Sequence, residues 1–171
     1  MVAFTYRMPG GIAGNISRYQ GLTAEPQQIT PYGTTGAPTF YGCALVVDAT
    51  AGNVGNMRLP AAGDTAASIY GVLIRSFPVQ GGQADGLGNV APPASGIIDV
   101  MKRGYMSVFL NGSTAAAKNG TVYVRIAAPS AGKVIGGFEA AADSSNTVTL
   151  TNAYFSSPAD ASGFVELCYN I

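Results

Sequence analysis

The chain has 171 residues, of which 47% are hydrophobic and only 11% charged, and nine basic and nine acidic side chains cancel to a net charge of zero. That balance excludes the basic footprint a nucleic-acid binder needs to release counterions, and no run approaches the roughly 18 apolar residues of a membrane-spanning helix. A surface so poor in charge favours association with other protein chains over mutual repulsion.

The first nine residues lack the 7–15-residue apolar block of a secretion signal, so a cytoplasmic site of synthesis and assembly is expected. Residues 1–35 read as an extended N-terminal arm. Gly10, Gly11, Gly14, Gly21, Pro26, Pro31 and Gly33 interrupt them every few positions, which predicts neither a helix nor a long strand. The arm nevertheless carries Phe4, Tyr6, Ile12, Ile16 and Tyr19, apolar groups suited to lying on another surface, together with Arg7 and Arg18. On this reading, deleting residues 1–20 would leave the rest of the chain folded.

From residue 36 to 171 the pattern is that of one β domain. Residues 40–47 and 69–74 are continuous apolar runs expected of well-buried strands. A third strand is predicted over 97–101 and a fourth over 105–110, with Met106, Val108 and Leu110 on one face and Asn111-Gly112 as its turn. In the strand predicted over 121–126, Val122, Val124 and Ile126 share one face, and Thr121, Tyr123 and Arg125 the other. Strands over 133–138, 147–151 and 164–169 follow. Eight strands parted by Gly, Pro, Asn and Ser loops predict an all-β fold, an antiparallel β-sandwich or barrel of jelly-roll-like kind. Residues 48–66 and 78–96 are long loops, expected to be contact surfaces.

Candidate chemistry is sparse. The chain has no His, no Gly-x4-Gly-Lys-Ser/Thr loop and no Cys-x-x-Cys pair, so no catalytic, cofactor or metal site is expected and the chain is read as a non-enzyme. Cys43 and Cys168, far apart with no export signal, are expected to be free core thiols rather than a disulfide. Tyr105, Phe109 and Tyr123 fall opposite the assigned core faces. They would serve as interface residues, or face a second sheet if inside and outside are reversed.

Three patches carry a family resemblance. Gly11-Ile12-Ala13-Gly14-Asn15-Ile16-Ser17-Arg18 is similar to a Val-Ala-Gly-Asp-Phe opening segment. Arg103 to Val108 leads to Gly120 to Arg125 and then Gly132 to Phe138. Asn146 to Leu150 leads through Phe155 and Asp160 to Gly163-Phe164-Val165-Glu166-Leu167. Together they resemble the structural cement, or head-decoration, proteins of tailed-bacteriophage capsids. The resemblance implies a β-sandwich on the outer surface of a virion, assembled in the host cytoplasm. Such a protein clamps neighbouring major capsid subunits, its partners being the major capsid protein and, as a homo-oligomer, itself. An adhesive or carbohydrate-binding β-module of a phage tail or fibre is the alternative, disfavoured by the absence of Trp.

Overall fold

A computed structural model describes residues 11–76, 91–159 and 163–170. The described residues are nearly all-β, in an antiparallel sheet curled into a half-barrel. In chain order the strands are β1 (Ile16–Gln28), β2 (Ala44–Val47), β3 (Met57–Arg58), β4 (Ile69–Leu73), β5 (Ile97–Phe109), β6 (Gly120–Arg125), β7 (Phe138–Glu139), β8 (Thr147–Phe155) and β9 (Phe164–Asn170). They pair in the order β3-β2-β4-β5-β9-β8-β6-β7, with β1 added to β5.

The curl divides the sheet into two regions with different burial. At β2, β4 and the first half of β5 both faces are covered. Ala44, Val46, Val72 and Met101 point into the main core, which they share with Val108, Val122, Val124, Phe138, Phe155, Leu167 and Tyr169. Cys43, Leu45, Leu73 and Val100 pack on the other face under Ile29, Tyr41, Met57 and Leu59. This two-sided burial is why residues 40–47 and 69–74 read as continuous apolar runs. Across β6, β8, β9 and the second half of β5 the inner face carries the core and the outer face is covered only in places, at Ser107, Arg125 and Cys168, so alternation is the dominant pattern. Val165, Leu167 and Tyr169 are buried while Phe164 and Glu166 are partly exposed.

The predicted strands over 97–101 and 105–110 are one strand, β5, whose faces change over at its middle. Val100 belongs to the second cluster and Met101 to the main core, yet Met106, Val108 and Leu110 also face the main core. A single unbroken alternation forbids that, since 101 and 106 differ in parity. The change occurs where β1 and β5 shift register between Thr23 and Ala24, opposite Arg103 and Met101. Gly104 follows at φ 144. A bulge of this kind bends a strand and re-aims its side chains.

The strand β1 is the main departure from expectation. Gly21 does not end it: at φ 78 it sits in a wide bulge between Arg18 and Thr23, whose partners Tyr105 and Arg103 are only two apart. Nor does Pro26. Ile29 N–H donates to the Gly96 carbonyl at 3.0 Å, and alternation from there turns the backbone of Pro26 away from β5. An edge strand tolerates proline in that position, and the missing donor blunts the edge against further pairing. Before β1, the chain is tied down by Gly14 N–H to the Ser107 carbonyl and Arg75 N–H to the Gly14 carbonyl, each 2.8 Å. Gly14 and Gly42 allow this crossing, because a Cβ on Gly42 would lie 2.8 Å from the Gly14 nitrogen.

Two further expectations are corrected. Residues 133–138 hold only the beginning of β7, after a Ser130–Lys133 bridge. Arg125, assigned to the outer face, is 1% exposed. It donates to Glu139, and through Nη2 to Asp143 at 2.6 Å, in the chain segment that folds back over β6. A buried guanidinium is tolerated only with such paired acceptors.

Candidate functional site

The open face of β5, β9 and β8 is a built surface rather than a leftover one. Register places Arg18, Tyr105, Cys168, Tyr154 and Thr121 side by side across β1, β5, β9, β8 and β6. Each lies on the outward side of a strand whose neighbouring residues, Met106, Leu167, Phe155 and Val122, are in the core. The Arg18 guanidinium stacks over the Tyr105 ring, 4.4 Å from its centroid, a cation–π geometry. The Tyr105 and Tyr154 hydroxyls stand 3.5 Å apart. The hydrogen bond to Tyr105, then that to Cys168, pushes the Tyr154 phenol well above its ordinary range.

Arg18 is oriented by Glu166. Nε donates to Oε1 at 3.0 Å and Nη2 to Oε2 at 2.5 Å, the two-pronged geometry of a guanidinium on a carboxylate. Ser17 Oγ donates to the same carboxylate at 2.7 Å, and Ser156 Oγ also donates to it. Burial by itself would raise the Glu166 pKa, but the donors Arg18, Ser156 and Ser17 hold it below the usual glutamate range. One carboxylate thus ties the beginning of β1 to β9 and to the end of β8.

Farther along the same face Phe109 is 50% exposed and meets Phe164 edge to face, with centroids 5.4 Å apart. Tyr19, in the β1 bulge, is 78% exposed. Among the residues singled out from sequence, Arg18 and Tyr105 are brought into contact, with Phe109 on the same strand and face. Tyr123 faces outward on β6, separated from β5 by the two strands β9 and β8, beside Glu139 and Thr149. Ile12 is 41% exposed, whereas Ile16 packs against the main core. Phe4, Tyr6 and Arg7 lie outside the described residues. Tyr105, Phe109 and Tyr123 face out from the sheet, which decides the inside-or-outside question. Sequence reading missed Tyr154, Phe164, Glu166 and Arg103. The alternation within 164–169 carried a signal for the middle two, and Tyr154 was missed because β8 runs on past residue 151.

This face is an assembly of aromatic rings, hydroxyls and guanidinium groups, a composition enriched in protein interfaces. Among the described residues no group of three or more Cys, Asp and Glu could hold a metal ion. Both cysteines are free and buried, and burial pushes the Cys43 thiol well above its ordinary range.

Comparison with known proteins agrees with a capsid role. The first 169 residues match the family described as XM1 gp53 minor capsid protein. A chain in the solved structure "The capsid of Myoviridae Phage XM1" has the same fold, with a TM-score of 0.68 at 17% identity, covering 99% of this chain and 98% of that one. No curated protein matches. With nearly its whole length matched, the chain belongs to the XM1 gp53 minor capsid protein family, a family of structural phage-capsid components.

Proposed function

We propose that the protein is a cement, or decoration, protein that sits on the exterior of the phage head and clamps neighbouring major capsid subunits without catalysis. The observation that carries this reading is the open face itself. Arg18, held in place by Glu166, lies over the Tyr105 ring, and Tyr154 and the half-exposed Phe109 extend the same outward face. Tyr and Arg dominate the strong points of protein interfaces because they bring large contact area and directional hydrogen bonds at low entropic cost. The N-terminal arm adds to the clamp, its apolar residues reaching a neighbouring subunit. The segments at 48–66 and 78–96 supply further contacts, assembly takes place in the host cytoplasm, and the protein self-associates on the lattice.

Heads made without this protein provide the test. Full-length protein is expected to co-sediment with them, and Tyr105→Ala and Phe109→Ala each to weaken binding by roughly tenfold or more. Cryo-electron microscopy of the reconstituted heads should show new density on the outer surface, bridging major capsid subunits. Density confined to the inside of the shell or to the tail would overturn the proposal. So would wild-type protein that fails to bind.

A further inference from the structure

Beside the Arg18–Tyr105 stack the open face contains a groove of about 500 Å³, bordered by Gly21, Arg103, Gly104, Tyr105, Tyr154 and Asn170. It exists because β1 arches away from β5 in the bulge before Thr23, opposite Gly104, which has no side chain to fill the gap left behind. Leu22 closes the inner end by packing on the Gly104 backbone and against the core. Cys168 lies between the two tyrosines in the cross-strand row.

The charges around this groove do not balance. Its lining includes two guanidinium groups, Arg18 and Arg103, and no carboxylate. Arg18 is occupied by Glu166. Arg103 is exposed and, among the described residues, has no ion-pair or hydrogen-bond partner. In contrast, Arg58 and Arg125 are each committed to carboxylates. None of the seven described acids lines the groove: Asp48, Asp64, Glu139, Asp143 and Glu166 are ion-paired elsewhere, and Glu25 and Asp99 accept from Tyr70 and Ser76. Among the described residues nothing complements the Arg103 charge, which leaves it available to an anion from another molecule.

We infer that this groove receives an acidic side chain from a neighbouring capsid protein, with Arg103 as its principal ligand. The inference rests on the proposed attachment to the head and names the chemistry of one contact within it. A planar guanidinium matches an aspartate or glutamate with two parallel hydrogen bonds. The hydroxyls of Tyr105 and Tyr154 stand beside it, and with one donating to the other the pair still has one O–H to offer. A polyanion fits less well, because a nucleic acid needs a track of several cations to displace its counterions and only one guanidinium here is uncommitted.

The test uses full-length protein and DNA-free heads that lack it, with binding followed across a range of salt concentrations. Arg103→Ala is expected to weaken binding by roughly tenfold, and Arg103→Glu by roughly a hundredfold, because it sets two acids against each other. Arg103→Lys should recover only part of the loss, and the dependence on salt should be shallower for Arg103→Ala than for wild type. Lys118→Glu, a charge change at an exposed site outside the groove, should alter binding by less than about threefold. Equal melting temperatures across the set would exclude misfolding as the cause. Wild-type protein that does not bind the heads would overturn the attachment itself. Wild-type protein that binds while Arg103→Glu binds equally well would overturn the groove alone.

Discussion

Glu166 accepts hydrogen bonds from Ser17 and Arg18 at one end of β1 and from Ser156 just beyond β8, so three separate parts of the chain converge on one side chain. Because its folded-state pKa lies below the ordinary glutamate value, the unfolded chain binds the proton more readily. The stabilisation is therefore present above the unfolded pKa and is lost as pH falls through the lower, folded one. Glu166→Gln is expected to lower the melting temperature at neutral pH by about 2–4 °C, a modest figure because the partner Arg18 is exposed to solvent. The difference between variant and wild type should shrink below about pH 4, which a thermal-melt series over pH would show. Arg125 teaches the complementary lesson. Period-two alternation put it outside with Tyr123, but Glu139 and Asp143 fold back over it, and no local pattern records a lid supplied from farther along the chain.

At the scale of elements, the junction of β1 with the middle of β5 governs both fold and surface. Gly104 stands at φ 144, and a Cβ there would meet Leu22 at 3.1 Å and the Met101 sulfur at 3.2 Å. Gly104→Val combines an unfavourable backbone with overpacking and is expected to cost about 2–3 kcal/mol, read as a lower unfolding midpoint in denaturant. The arm can be dissected at the same junction. Removing residues 1–10 leaves the contacts of Gly14, Ile16 and Arg18 in place, so the melting temperature should hold while head binding weakens. Removing residues 1–20 also strips the Gly14 bonds to Ser107 and Arg75, the core contact of Ile16 and the Arg18–Glu166 pair. That protein should melt lower, contrary to the expectation that deleting residues 1–20 leaves the rest of the chain folded undisturbed. Equal melting of the two truncations would show that β1 is held from Thr23 onward alone.

For the whole molecule, the amino-acid order was enough to establish an all-β chain, the inward and outward faces of most later strands, the free thiols and the shortage of surface charge. These are properties of composition or of residues two apart, and a pleated strand converts that spacing directly into sides of a sheet. The continuation of β1 through Gly21 and Pro26 was hidden, because each residue is a breaker in isolation and harmless only at a bulge or with its nitrogen facing solvent. The joining of two short predicted strands into β5, the burial of Arg125 and the groove at Arg103 were hidden for a related reason. Each depends on contacts between distant parts of the chain, such as Ser17 with Glu166, 149 positions apart. Folding chooses those pairings by burying the combined apolar faces of all the strands at once, a collective free energy that no window along the sequence contains.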